Sequence, residues 1–137
     1  MTREQARRPI TPKAVAIIAA HAVVLWMLCG AIVMVGRQLW TMETTLIVHA
    51  VGAPIIAVVI SLIYFTYFAY TTPLQTATIF MLSAISLDAI IVATFVEKSF
   101  EMFTSPIGTW IPFALIFLAT YATGNLMMRR AAGRPAI

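Results

Sequence analysis

The chain has 137 residues, of which 61% are hydrophobic and 10% are charged, and its mean hydropathy is +0.94. Soluble domains carry about 25% charged residues, so this composition excludes an ordinary soluble protein and indicates one that is solvated by lipid. The net charge of +4 comes from basic residues near the chain ends, without the interleaved exposed aromatics of a nucleic-acid surface, so we expect the lipid bilayer and no nucleic acid as a partner.

Four long apolar segments predict four membrane-spanning helices, because each is long enough to cross about 30 Å of hydrocarbon. They cover residues 14–36, 44–70, 77–96 and 107–128. The connectors between them are too short to form a separate soluble domain. The sequence therefore predicts an all-α protein whose single domain, residues 1–137, is an antiparallel four-helix transmembrane bundle.

The basic residues predict how this bundle is oriented. Seven of them lie before the first segment or after the last: Arg3, Arg7, Arg8, Lys13, Arg129, Arg130 and Arg134. The connectors after the first and third segments hold only Arg37 and Lys98 as basic residues. Because basic residues favour the cytoplasmic side, both termini are expected in the cytoplasm, and the chain is expected to be a multi-pass protein of the inner (plasma) membrane.

The first segment begins after Thr11 and Pro12, a pair that predicts a hydroxyl at the N-cap and a proline at the first helical position. The segment is longer than the apolar core of a usual signal peptide, and no cleavage pattern follows it, so it is expected to stay in the mature protein. It contains His21, about 10 Å from the inner edge, and the single cysteine, Cys29. One cysteine allows no intrachain disulfide and no cysteine metal motif, and we expect neither a metal nor another cofactor.

The second segment carries His49 near its outer end and Tyr64 near its inner end, on one helical face. Pro54 lies inside the segment, where a proline frees a carbonyl about one turn earlier, next to His49. The depths of His49 and His21 differ by about 15 Å, so the two histidines are not expected to share a metal.

The third segment contains Asp88, the only charged residue deep inside any of the four. A carboxylate near the bilayer centre costs about 2.5 to 3.5 kcal/mol to insert, so such an acid is expected to have a partner or a function. Thr72 and Gln75 predict a capping box at the start of this helix. The 100° step of an α-helix places Asp88 on the face of Phe95, and it places Glu97 on a different face within a stripe of hydroxyl residues.

Two polar groups are predicted inside the bundle. Helices joined by a tight link usually pack as neighbours, so the second and third segments are expected to face each other. Asp88 and His49 then form an intramembrane polar pair, which serves either as a proton site or as a packing contact, with Glu97 as a secondary candidate at the outer edge. The inner group consists of His21, Tyr64, Tyr121 and Asn125, the last two of which lie on the fourth segment.

No catalytic signature is present, because the chain lacks a nucleophile elbow, a phosphate-binding glycine loop, an HExxH motif and a paired cysteine motif. We therefore expect no enzyme and assign no catalytic residue. The first hypothesis is a self-associating or accessory membrane subunit, in which Asp88 and His49 fasten the second and third spans. The second hypothesis is a small proton-linked transporter or channel, with a relay from Glu97 and His49 through Asp88 towards the inner group. Further copies of the chain or a larger membrane complex are expected as partners, because one short chain encloses little space.

Overall fold

The computed structural model describes residues 9–135, so Arg3, Arg7 and Arg8 lie outside the described residues. All regular structure in this range is helical. Helix α1 spans Pro12–Leu39, α2 spans Met42–Tyr67, α3 spans Pro73–Leu87 and α4 spans Ile111–Ala132. Three shorter helical pieces connect α3 to α4, namely the π-helical segment Asp88–Val96, the 3-10 turn Glu101–Thr104 and the π-helical turn Pro106–Trp110.

Four continuous helices in the described range are long and apolar enough to cross a membrane: Pro12–Leu39, Met42–Tyr67, Pro73–Val96 and Pro106–Ala132. The third combines α3 with the π-helical segment, and the fourth combines the π-helical turn with α4. The prediction of an all-helical chain with four candidate spans is confirmed. Their exposed side chains are largely apolar, as Met27, Val51, Leu82 and Leu118 illustrate, and they suit contact with lipid.

Local capping signals fix where three of these helices begin. The Thr11 hydroxyl accepts a hydrogen bond from the Ala14 amide at 3.2 Å, and the Ser105 hydroxyl accepts one from the Gly108 amide at 3.0 Å. The predicted capping box is also present: Thr72 accepts from the Gln75 amide at 3.2 Å, while the Gln75 side chain accepts from the Thr72 amide at 3.0 Å. Each cap satisfies amides that have no partner inside the helix.

The packing of the helices differs from the expectation that the second and third spans are neighbours. Helix α2 packs along α1 and α4, and α3 also packs along α1 and α4, so α2 and α3 lie diagonally opposite. Gly124 explains how α4 fits between α2 and α3. A Cβ atom at Gly124 would lie 2.8 Å from the Phe65 ring and 2.8 Å from Pro73, so only a residue without a side chain permits this approach.

Contacts near the two ends of α1 show that α1 and α2 run in opposite directions, and Gly124 near the end of α4 lies against Phe65 and Pro73, on either side of the link between α2 and α3. Near the end of α1, Gly36 lies against Thr45 from the start of α2. Near the start of α1, the His21 ring lies 5.4 Å from the Tyr64 ring, close to the end of α2. We call the end that holds the start of α1, the end of α4 and the link 68–72 the terminal end, and the opposite end the distal end. The buried core lies mainly in the terminal half and includes Ile18, Ala22, Leu25, Ala57, Ile60, Tyr64, Phe65, Phe80 and Ile116.

Candidate functional site

A cavity of about 660 Å³ occupies the distal half of the bundle. It forms because the π-helical segment Asp88–Val96 stands away from the other helices, whereas α3 packs closely on α1 and α4. Most of its wall is apolar. Its charged, imidazole, thiol and indole side chains are Trp26, Cys29 and Arg37 from α1, His49 from α2, and Asp88, Glu97 and Glu101 from the π-helical segment and the connector after it. A volume of this size lies in the range of small-molecule binding sites, roughly 300–1,000 Å³.

Asp88 lies where α3 passes into the π-helical segment, and its side chain is partly buried. The indole Nε1 of Trp26 donates a hydrogen bond to Asp88 Oδ1 at 2.8 Å, which joins the middle of α1 to the start of the π-helical segment. Oδ2 of Asp88 has no hydrogen-bond partner among residues 9–135. One carboxyl oxygen is therefore held by the protein, and the other remains free on the wall of the cavity.

His49 contributes to the same cavity from α2. Its Nδ1 atom is buried and has no hydrogen-bond partner within the part of the chain that the structure describes. The predicted pair of Asp88 and His49 therefore shares one cavity but forms no hydrogen bond there. The physical reason is the diagonal placement of α2 and α3, which leaves Trp26 of the neighbouring α1 to bind the carboxyl group.

Glu97 reaches the cavity because the backbone before it is π-helical. An α-helix turns by about 100° per residue, so the nine steps from Asp88 to Glu97 would place the two side chains on opposite faces. A π-helix turns by roughly 80–85° per residue, since its hydrogen bonds reach five residues back, and nine such steps bring Glu97 onto the face of Asp88. The Glu97 amide indeed donates to the carbonyl of Val92 at 2.8 Å. The same change turns Phe95 outwards, where it is 70% exposed, so the predicted grouping of Asp88 with Phe95 is wrong.

An ion pair lies at the distal side of the cavity. Arg37 Nη1 approaches Glu97 Oε1 at 2.5 Å, and the two side chains are 39% and 38% exposed. Exposed pairs of this kind contribute about 0.2–1 kcal/mol to stability, so this pair holds the distal side of the cavity together only weakly.

The predicted inner polar group is only partly assembled. His21 and Tyr64 meet through their ring edges, but the His21 Nδ1 donates to the Ile17 carbonyl of its own helix at 2.8 Å. The buried Tyr64 hydroxyl instead bonds to the Thr71 hydroxyl at 2.8 Å, which in turn bonds to the Thr76 hydroxyl at 2.8 Å. The terminal end therefore holds a short chain of three hydroxyl groups in place of a histidine site.

The two members of the inner group on α4 do not join it. Tyr121 is 41% exposed and stacks on Phe117 of the same helix, with ring centroids 6.3 Å apart. The Asn125 amide donates to the Tyr121 carbonyl at 3.0 Å. Helix α4 instead buries the face that carries Thr120 and Gly124, which is why Tyr121 lies on the outside.

Trp26, Arg37 and Glu101 contribute to the cavity but were absent from the predicted site. The position of Trp26 is the signal that could have found it, because it lies about 21 Å along α1 from Pro12, near the middle of a span. Tryptophan prefers the membrane interface, so an indole at this depth indicates a buried acceptor. Arg37 gives no comparable signal, since its partner lies 60 residues away in the chain.

No group of three or more His, Cys, Asp or Glu side chains in residues 9–135 is arranged to hold a metal ion. No family model matches the chain, and no curated protein and no solved structure is significantly similar to it. The functional interpretation therefore depends on the geometry of the cavity.

Proposed function

We propose that this protein is a small proton-linked membrane transporter whose substrate site is the distal cavity. Asp88 carries the proposal, because an acid in a membrane-spanning helix presents a free carboxyl oxygen to a cavity large enough for a ligand. The free Nδ1 of His49 adds a second titratable group to the same wall. The unpartnered Nδ1 of His49 is buried, so Asp88 is the group on this wall that exchanges a proton with water in the cavity while the helices are packed.

We propose that the distal end faces the outside and that both termini lie in the cytoplasm, in an inner membrane. Lys13, Arg129, Arg130 and Arg134 lie near the terminal end and support this orientation. At the distal end, by contrast, Arg37 is paired with Glu97. The cavity then collects its ligand from outside the cell.

The terminal half favours a transporter over an open channel. The core closes the cavity on this side, where Leu25 is 0% exposed and Ile116 is 2% exposed. Beyond Ile116, the buried hydroxyls of Thr120 and Ser61 have no hydrogen-bond partners among the described residues, and the hydroxyl chain of Tyr64 follows one turn after Ser61. These groups can bind water when the helices separate, but they form no continuous path while the bundle is packed.

An accessory or self-associating subunit is the second candidate, and the hydrogen bond between Trp26 and Asp88 favours it. This bond fastens α1 to the third span at 2.8 Å, which is the contact that a purely structural acid would make. In that case Asp88 stabilises the bundle, and the cavity has no ligand.

Proton flux and stability of the Asp88→Asn variant separate the two candidates. Asparagine keeps an oxygen that can accept the Trp26 hydrogen bond, but it cannot exchange a proton. Glu43→Gln is the matched control, because Glu43 is an exposed carboxylate at the distal end that does not line the cavity. Each protein is reconstituted in liposomes with an internal pH-sensitive dye and an imposed pH gradient, and its melting temperature is measured in detergent.

For a transporter, the wild type and Glu43→Gln dissipate the gradient, and Asp88→Asn is slower by about tenfold or more. The melting temperature of Asp88→Asn should fall by less than about 4 °C, since the hydrogen bond is retained. Absence of flux in the wild type, or equal flux in Asp88→Asn, contradicts the transport proposal. Loss of flux that is matched by a large fall in melting temperature supports the structural candidate instead.

A further inference from the structure

We infer that the ligand of the distal cavity is a hydrophobic organic cation, an inference that rests on the cavity being the substrate site proposed above. The first reason is the balance of charge on the cavity wall. Asp88, Glu97 and Glu101 are acidic, and Arg37 is the one Lys or Arg side chain among the lining residues, all of which the structure describes. Because Arg37 is paired with Glu97, the acids Asp88 and Glu101 have no Lys or Arg partner on this wall, and neither forms a salt bridge with His49.

The second reason is the apolar character of the remaining wall. Leu25, Ile91, Val92, Phe113 and Ile116 line the cavity together with Asp88. A ligand that fills this space gains free energy by burying apolar groups, roughly 25 cal/mol per Å². Phe113 and Trp26 also line the cavity, and aromatic rings attract organic cations. The ligand therefore carries its charge on an apolar body.

The composition of the wall also disfavours a metal cation. Calcium takes six to eight oxygen ligands, and magnesium needs a near-octahedral set. In residues 9–135, no group of three carboxylate, histidine or cysteine side chains could surround an ion, and most of the cavity wall is apolar. Such a wall cannot replace the hydration shell of a small ion, whereas an organic cation brings little hydration to be replaced.

The hydrogen bond from Trp26 determines how the cation is bound. It occupies Oδ1 of Asp88, which leaves Oδ2 as the contact for the ligand. A bound cation and a proton then compete for the same oxygen, and this competition couples ligand binding to proton exchange. Neutral and anionic molecules of the same shape lack the attraction to Asp88, and an anion is repelled by Glu101 as well.

Tetraphenylphosphonium and tetraphenylborate test the inference, because they have the same shape and opposite charges. Binding of each radiolabelled ion to the purified full chain is measured by equilibrium dialysis in detergent, and the specific part is the part that excess unlabelled ion displaces. We expect saturable binding of the cation and none of the anion. Asp88→Asn should weaken cation binding by roughly ten- to hundredfold, the usual effect of removing one partner of a charged contact. Asp88→Glu should retain binding, and Glu43→Gln should bind like the wild type.

Equal binding of both ions, no displaceable binding of the cation, or unchanged binding by Asp88→Asn overturns the inference. The Asp88→Glu variant is the control for misfolding. If Asp88→Asn binds the cation weakly and Asp88→Glu binds it well, the loss of affinity is due to the loss of charge. The failures of the two proposals are also distinguishable. Proton flux without cation binding overturns this inference and leaves the transporter intact. If cation binding depends on Asp88 but no proton flux is measured, the transport proposal is overturned and the inference of a cation-binding site stands.

Discussion

The π-helical backbone of the segment Asp88–Val96 predicts a pattern of side-chain exposure that an α-helix would not produce, because it changes which side chains face the cavity. The perturbation is a series of single cysteines at positions 89 to 97, each carrying a nitroxide spin label, in a chain in which Cys29 is replaced by alanine. Counted from Asp88, nine steps of about 100° give a rotation equivalent to 180°, whereas nine steps of roughly 82° give one of about 18°. Glu97 is therefore in phase with Asp88 in a π-helix and opposite to it in an α-helix.

The assay compares how strongly each label collides with molecular oxygen, which dissolves in lipid, and with a water-soluble nickel chelate. We expect the ratio of the two to oscillate with a period near 4.4 residues, as hydrogen bonds that reach five residues back require. Labels at Val92 and Glu97 should collide more with the nickel chelate, because these positions face the cavity. A label at Phe95 should collide more with oxygen, because this position faces outwards.

A period of 3.6 residues, with Phe95 in phase with Asp88, would refute the reasoning. Glu97 would then point away from the cavity and could not pair with Arg37. The cavity wall would then lack the carboxylate of Glu97, so this measurement also tests the charge argument for a cationic ligand.

Three further predictions concern stability, each measured by reversible unfolding in mixed micelles. Gly124→Ala should destabilise the protein by about 1–3 kcal/mol, because the new Cβ would lie 2.8 Å from the Phe65 ring. Gly30→Ala is the control: its Cβ would have no atom within 4 Å, so it should be neutral or stabilise the protein by about 0.5–1 kcal/mol. Equal effects of the two substitutions would contradict the close packing of α4. Thr120→Val should not destabilise the protein, because the hydroxyl is buried without a partner, and a loss of about 1 kcal/mol or more would reveal a hydrogen bond there. Thr72→Ala should cost about 1 kcal/mol through loss of the cap, and no change would show that the capping box contributes nothing.

The number of helices and most of their starts could be predicted, because the signals are local. A hydroxyl residue before a proline places the cap within one turn, and the Thr72 box forms as predicted. The ends of the helices are less clear. The second segment was predicted over 44–70, but α2 covers Met42–Tyr67, and Ala69 adopts a positive φ of 49° in the link that follows.

The choice of helix neighbours could not be predicted from hydrophobic patterning. In lipid, the outside of a bundle is as apolar as its inside, so an apolar stripe does not mark the buried face. Close approach is decided by small residues at particular depths instead, such as Gly36 against Thr45 and Gly124 against Phe65. The diagonal arrangement of α2 and α3 follows from these few contacts, and it changed the partner of Asp88 from His49 to Trp26.

The contact between Trp26 and Asp88 is common to the structural and the transport candidates, so its presence alone does not decide between them. An indole is a neutral donor, and Oδ1 of Asp88 can accept from it whether or not Oδ2 carries a proton. The bond therefore persists on protonation, although a neutral acid accepts a weaker hydrogen bond than a carboxylate does, and it still joins the two helices when Asp88 exchanges a proton. In the proposed transporter the two carboxyl oxygens would have separate roles: Oδ1 would keep α1 and the third span together, while Oδ2 would bind the proton or the cation.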